Sequence, residues 1–129
     1  MAYPATYRYS REHEWIGLTG TIGAIGITDY AQNSLGDIVY VDMPKVGDTV
    51  TANTTFGSVE SVKAVSDLFS PVTGTVSAIN EELVSAPDKL NEDPHETWII
   101  KVELAEPAQI GSLLDAAAYE AFISEETGS

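Results

Sequence analysis

The stretch that decides the fold is GSVESVKAVSDLFSPVTGTV, residues 57–76. Its valines, on both sides of Val62-Lys63-Ala64, predict a strand, a tight reversal and a return strand through Leu68 and Phe69. Lys63 lies at the predicted tip and is the only basic residue between Lys45 and Lys89. We expect its ammonium group to stay in water, because desolvating a charge is costly. From these residues alone, a solubilising turn lysine is the favoured interpretation.

Segments on both sides of this hairpin also have the pattern of strands. In residues 98–104, Trp98 is placed on the apolar face, whereas Lys101 and Glu103 point away from it. In residues 38–43, alternation predicts two faces: Val39, Val41 and Met43 on one, and Ile38, Tyr40 and Asp42 on the other. Residues 21–27, 49–50 and 72–79 favour strands as well. Short strands with frequent turns predict a mainly β fold, a small sandwich or barrel.

Three further segments are typical of short helices. Thr28 can cap a helix over residues 29–35 that stops at Gly36. Residues 81–91 hold a turn or two, interrupted at Pro87. The third segment, 115–125, has Asp115 as its N-cap and an apolar stripe that can dock on the sheet: Tyr119, Phe122 and Ile123.

Composition limits the function. The chain of 129 residues has 20 acidic and 6 basic side chains, a formal charge of −14, which argues against nucleic acid and anionic membranes as partners and favours positively charged protein surfaces. Cysteine is absent, which excludes disulfides and thiolate chemistry, and two histidines leave little for a metal site. The length predicts one domain, 1–129. The start at Met1 lacks the pattern of a secretory signal, so we expect the cytoplasm, or the mitochondrial matrix if a presequence was removed.

Motifs along almost the whole chain resemble the glycine cleavage system H protein family. The resemblance is carried, in order, by HEW at 13–15, IGITDYAQ at 25–32, LGDIVYV at 35–41, ESVKA at 60–64, NEDP at 91–94 and WIIKV at 98–102. The loop before Trp98 departs from the family pattern, because PHETW is one residue shorter and lacks a glycine.

This resemblance implies a barrel-sandwich hybrid, the flattened β-sandwich of lipoyl and biotinyl carriers, with two similar β-units around a lipoyl hairpin at about 56–76. It implies that Lys63 carries lipoate through an amide and that the chain is a carrier rather than an enzyme. The implied partners are glycine decarboxylase with pyridoxal phosphate, aminomethyltransferase with tetrahydrofolate, dihydrolipoamide dehydrogenase, and a lipoyl ligase or octanoyl transferase. A carrier that visits them in turn is expected to be a monomer.

Three carboxylates receive roles from the resemblance. Glu14 of the HEW motif and Asp67 after the hairpin are expected to bind the amine of the loaded arm in a cleft, and a surface carboxylate at a strand end remains the alternative for Glu14. Glu60, three residues before Lys63, is expected to help a ligase recognise the correct lysine. His13 is interpreted as a structural hydrogen-bonding residue and not as a metal ligand.

Three alternative functions stay open at this point. The chain could be a lipoyl or biotinyl carrier of another complex, although Val62 and Ala64 stand where a biotin carrier has methionines. It could be an H-like protein that receives lipoate only to relay it to other carriers. It could also be an unmodified β-scaffold whose lysine is incidental.

Overall fold

Nine strands form two antiparallel sheets in residues 3–127, the part of the chain that this computed structural model describes. The larger sheet has the order β1-β2-β3-β9-β8-β5 and the smaller one β4-β6-β7. The strands are β1 Arg8–Tyr9, β2 Glu14–Thr19, β3 Ile22–Ile27, β4 Ile38–Asp42, β5 Thr49–Val50, β6 Thr55–Ser61, β7 Val65–Phe69, β8 Gly74–Ile79 and β9 Ile100–Leu104. The helices are α1 Asp29–Leu35, α2 Glu82–Ser85, α3 Lys89–Glu92 and α4 Ala116–Thr127, with a 3₁₀ helix at Pro107–Ser112.

The predicted hairpin is confirmed as β6 and β7, which pair antiparallel with Glu60 opposite Val65. The Ser61 N–H donates to the Ala64 carbonyl at 2.8 Å and closes the turn at the expected place. Gly57 in β6 allows the smaller sheet to pack closely, because a Cβ there would collide with the Asp42 carbonyl of β4. The hairpin is therefore the middle and one edge of the smaller sheet.

The predicted faces of β4 are wrong. Strict alternation separates Ile38 from Val41, yet both are buried, while Val39 and Tyr40 are both exposed. The cause is a β-bulge: Ile38 lies opposite Ser61 and Tyr40 lies opposite Glu60, so that Val39 is the extra residue. One inserted residue shifts the side chains before it to the other face of the sheet.

The helices begin close to the predicted residues. The Thr28 hydroxyl accepts the Ala31 N–H at 3.3 Å, and α1 ends at Gly36, whose φ is 77°. Asp115 caps α4 by accepting the Ala118 N–H at 2.8 Å, although the helix continues to Thr127 instead of ending near residue 125. The segment predicted at 81–91 forms two single turns, α2 and α3, on either side of Pro87, and the second turn ends at Glu92. Among the described residues no helix is long and apolar enough to cross a membrane.

Two hydrophobic clusters stabilise the fold. The larger lies between the sheets and includes the buried Ile25, Val59, Leu68 and Val102. The smaller is aromatic and lies where α4 packs on β1: Tyr9, Trp15 and Tyr119 are at most 2% exposed, and Trp98, Phe122 and Ile123 pack against them. The prediction that α4 docks through its apolar stripe is confirmed. Trp98 precedes β9 and is only partly buried, with Lys101 Nζ 4.7 Å from its ring centroid.

Candidate functional site

Lys63 lies at the tip of the hairpin, and its side chain is exposed. The turn beneath it is organised by the buried Ser61 hydroxyl, which accepts the N–H groups of Lys63 and Ala64, both at 3.2 Å. Within residues 3–127 the Lys63 ammonium makes no ion pair and no side-chain hydrogen bond. A rigid turn therefore presents an unpaired primary amine to the solvent.

The tip rests on the loop that follows α1. The Val62 N–H donates to the Asp37 carbonyl at 3.0 Å. The Lys63 side chain passes over Gly36, since a Cβ on Gly36 would lie 3.4 Å from Lys63 Cε. Asn91 holds this loop in place: its side chain accepts the Ile38 N–H at 2.9 Å and donates to the Gly36 carbonyl at 2.9 Å. The base of the lysine is thus fixed although its amine is free.

Glu14, at the start of β2, is only 2% exposed, so the alternative of a surface carboxylate is wrong. One of its oxygens accepts the Ser10 hydroxyl at 2.6 Å, and the other accepts the Phe69 N–H of β7 at 3.3 Å. Burial raises the pKa of this carboxyl from 4.5 to about 8, and the hydrogen bonds from Ser10 and Phe69 oppose the rise only in part. Near neutral pH, Glu14 is therefore largely protonated and sensitive to any nearby cation.

The structure does not bring Glu14 and Asp67 into direct contact. Asp67 is exposed on β7 opposite Ser58, and no hydrogen bond joins the two carboxylates in the described chain. Their connection is indirect, because Glu14 binds the backbone of Phe69, two residues beyond Asp67. Glu60 is also exposed, on β6 between Tyr40 of β4 and Val65 of β7.

Both histidines help to hold the region around α1. His13, with a φ of 70°, makes a 2.8 Å hydrogen bond between its Nδ1 and the Tyr119 hydroxyl, and its Nε2 lies 3.0 Å from Glu126. The Tyr119 hydroxyl is in turn 2.7 Å from Thr28 Oγ1, the cap of α1. The structural, hydrogen-bonding role predicted for His13 is thereby confirmed. Across residues 3–127, no group of three or more acidic or histidine side chains could hold a metal ion.

The short loop at 94–98 is held by its backbone carbonyls. The Pro94 carbonyl accepts the Trp15 indole N–H at 2.9 Å, and the His95 carbonyl accepts the Tyr7 hydroxyl at 2.7 Å. His95 Nε2 accepts the Asp29 N–H at 3.1 Å, which makes this histidine the acceptor at the first turn of α1. Burial lowers the pKa of His95, in keeping with its neutral form. These contacts connect the loop to β2 through Trp15 and to α1 through Asp29.

Comparison with known proteins identifies the family. The family model described as Glycine cleavage H-protein matches residues 7–126. The chain belongs to the glycine cleavage H-protein family. It is 66% identical to the glycine cleavage system H protein of Acidobacterium capsulatum and 59% identical to that of Koribacter versatilis, each over 99% of both chains.

The fold agrees with a solved member of this family. The crystal structure of a glycine cleavage system H protein from Mycobacterium marinum superposes with a TM-score of 0.85 at 34% identity, covering 98% of this chain and 100% of that one. The predicted lipoyl-type β-sandwich is therefore confirmed for this H-protein family member.

Several residues of the site were not predicted from the sequence. Ser10 and the Phe69 backbone bind Glu14, and Asn91 braces the loop under Lys63. None of these contacts has a local signal, because their partners are distant in sequence or lie in irregular backbone. The sequence does mark Gly36, because a glycine between a predicted helix and a predicted strand indicates a helix stop. Its contact with Lys63 is tertiary and has no such pattern.

Proposed function

We propose that this H-protein family member is a lipoyl carrier of a glycine cleavage system and that lipoate is attached to Lys63 through an amide. The observation that carries the proposal is the exposed amine without a partner at the tip of a braced hairpin, in the family's ESVKA motif. An acylating enzyme needs an amine that it can reach, and the arm formed afterwards needs space to swing. Lys63 meets both needs.

The residues present fit this group. Acylation of Lys63 removes a charge that no carboxylate of the described chain neutralises, so no native ion pair is broken. When bound, lipoate supplies a dithiolane that accepts the aminomethyl group and two electrons. The chain supplies presentation: Gly36 lets the lysine stem lie close to the loop, and Asn91 keeps that loop in position.

We propose that Glu14 and Asp67 retain the cationic amine of the loaded arm. A buried carboxyl with a pKa of about 8 keeps its proton while it is alone. An ammonium group nearby favours the carboxylate and lowers its pKa, so that Glu14 would release a proton as the cation binds. Asp67, exposed on the strand whose backbone Glu14 binds, would add negative charge at the entrance.

The partners that we propose are the enzymes of the same system: glycine decarboxylase, aminomethyltransferase and dihydrolipoamide dehydrogenase. The reactions would occur in their active sites, and this chain would not be an enzyme. A net charge of −14 favours rapid encounter with basic docking surfaces, and screening by salt keeps the complexes short-lived. The bacterial relatives make the cytoplasm the compartment that we propose.

The alternative functions are not favoured. Carriers of other complexes and biotin carriers do not account for a match to the H-protein family over residues 7–126. A relay protein would need Lys63 but would not need Glu14 to retain an amine.

The attachment site is tested by intact-mass measurement after co-expression with a lipoate ligase and lipoic acid. We expect one lipoyl group on the unaltered protein, none on Lys63→Arg, and one on Lys45→Arg, a second lysine outside the hairpin. Lipoylation of Lys63→Arg would show that another amine is the attachment site.

The retention role is tested by loading the carrier and measuring the release of ammonia. We expect faster release from Glu14→Ala and Asp67→Ala than from the unaltered carrier, because each loses negative charge near the amine. Glu120→Ala, an exposed carboxylate on α4, is the control and should release ammonia at the original rate. Unchanged release from both site variants would rule out the retention role.

A further inference from the structure

An apolar surface surrounds the lysine tip. Seven large hydrophobic side chains are exposed in the part of the chain that the structure describes, and four of them lie on or beside the hairpin. We name these four the tip patch: Val39 at 53%, Tyr40 at 53%, Val62 at 68% and Val65 at 64% exposed. Clustered exposure of this kind is unfavourable in water and commonly marks an interaction site.

The backbone creates the tip patch. The bulge at Val39 turns Val39 and Tyr40 outward together, where regular alternation would expose only one of them. Tyr40, Glu60 and Val65 then form one row across β4, β6 and β7. Val62 adds the side chain directly before Lys63. The patch is therefore built on the bulge in β4 and on the paired residues of the smaller sheet, and it ends beside Lys63.

Three exposed carboxylates, Asp42, Glu60 and Asp67, lie within or beside the tip patch, and we name them the acidic border. Glu60 lies within the row, and exposed Asp42 and Asp67 lie on either side of Ser58 in a second row of the same sheet. Lys63 is the only cation of the hairpin, and it loses its charge on acylation. The complementary surface is an apolar seat with a basic rim, which is the chemistry that we assign to the partner.

The distance between the tip patch and the reacting atoms indicates which enzyme binds the patch. An enzyme that acylates Lys63 must bring Nζ itself to its reacting centre and must therefore enclose the tip. Enzymes that act on the sulfur end of the completed arm can work at the length of the whole arm and need not cover the tip. A surface at the base of the lysine is therefore one that the acylating enzyme must contact.

We propose that the tip patch and its acidic border are the docking surface for the enzyme that acylates Lys63, with Tyr40 as the central contact. This inference rests on the proposed function and extends recognition beyond Glu60. In the reaction, neutral Nζ attacks the carbonyl carbon of an activated acyl donor, and the new C–N bond forms as the bond to the leaving group breaks. A base accepts the proton, and the leaving group departs with the electron pair.

The test measures the kcat/KM of a lipoate ligase, with ATP and lipoic acid, for the unmodified protein and its variants. We expect Tyr40→Ala to lower kcat/KM about tenfold, mainly through KM, because truncating a central aromatic contact has an effect of this size. Tyr40→Phe, which keeps the ring, should retain most of the rate. Val84→Ala, at a site on α2 that is 74% exposed, is the matched control and should be unchanged.

The acidic border is tested with Asp42→Asn combined with Glu60→Gln. We expect kcat/KM to fall about threefold at low salt and the difference to disappear at high salt, since screening removes long-range attraction. A control pair on other surfaces, Glu103→Gln with Glu120→Gln, should have a smaller effect. Acylation of Lys63 by a small activated ester should proceed equally in all variants, because that reagent needs no docking.

Four results would overturn the inference. Equal kcat/KM for Tyr40→Ala and the unaltered protein would overturn the inference while leaving the proposed function intact. A defect of Tyr40→Ala seen only with glycine decarboxylase, after full lipoylation, would assign the patch to that enzyme instead. A dimer in sedimentation that Tyr40→Ala dissolves would assign it to a second copy. Failure of the unaltered protein to become lipoylated would overturn the proposed function as well.

Discussion

Lys63 and Glu14 are two ionisable side chains with opposite surroundings. Lys63 is exposed and without a side-chain partner in residues 3–127, whereas Glu14 is 2% exposed and bound by Ser10 and the Phe69 backbone. Water surrounds the lysine side chain, whereas burial raises the pKa of the Glu14 carboxyl to about 8. The surroundings of Lys63 suit the attachment of an arm that must move freely in solvent. The surroundings of Glu14 suit a carboxyl that must hold a bound amine in place.

Lys63 and Glu14 also differ in whether local or tertiary structure determines their surroundings. The exposure of Lys63 follows from a tight turn between two strands, and it would survive many changes elsewhere. The burial of Glu14 depends on β2 and β7, which belong to different sheets. We therefore expect variants at Lys63 to affect function without stability, and variants at Glu14 to affect both.

The largest expected effect is that of Lys63→Arg on glycine cleavage in the reconstituted system. Overall activity should fall to the background, because a guanidinium group is not acylated, whereas the free energy of unfolding should change by no more than about 0.5 kcal/mol at an exposed site. Activity is measured as glycine-dependent NADH formation and stability by urea unfolding. Substantial activity of Lys63→Arg would show that the Lys63 amine is not required for glycine cleavage.

The next largest effect is that of Glu14→Gln on the pH dependence of stability. The unfolded chain loses the Glu14 proton near pH 4.5, but the native protein keeps it to about pH 8, so native stability falls as the pH rises through this window. The steepest slope is about 1.4 kcal/mol per pH unit for one group. Because glutamine does not titrate, Glu14→Gln should become increasingly more stable than the unaltered protein over this range in urea unfolding. A difference that is constant with pH would show that Glu14 is not desolvated.

Features of the two sites that depend on local sequence could be predicted, and features that depend on tertiary contacts could not. The hairpin, the caps of α1 and the start of α4 were predictable because each depends on neighbouring residues. The bulge at Val39 was not, because it depends on which residues of β6 the strand meets. The burial of Glu14 was not either, since Ser10 and the Phe69 N–H approach it only in the folded chain.

A smaller effect is expected from Gly36→Ala, in the loop beneath the lysine. Gly36 has a φ of 77° and a ψ of −156°, a conformation that side chains disfavour, so we expect a loss of about 1–3 kcal/mol in the free energy of unfolding. Gly111→Ala is the control, because Gly111 has no positive φ and a Cβ added there would meet open space. Equal stability of the two variants would contradict the account of the loop.

The smallest effect on stability is expected from Asp67→Asn. The side chain is exposed, so the free energy of unfolding should change by less than about 0.5 kcal/mol. Urea unfolding in the same buffers as for Glu14→Gln provides the measurement. A large loss of stability would show that Asp67 belongs to the buried network of Glu14, which would contradict the exposed position assigned to it.

The most direct measurement is peptide mass spectrometry of the 57–76 region from protein purified out of cells that degrade glycine. We expect a lipoyl group on the side chain of Lys63, located by fragmentation, in a large share of the molecules. A tip peptide that carries only free lysine in such cells, or a lipoyl group found on a different residue, would contradict it.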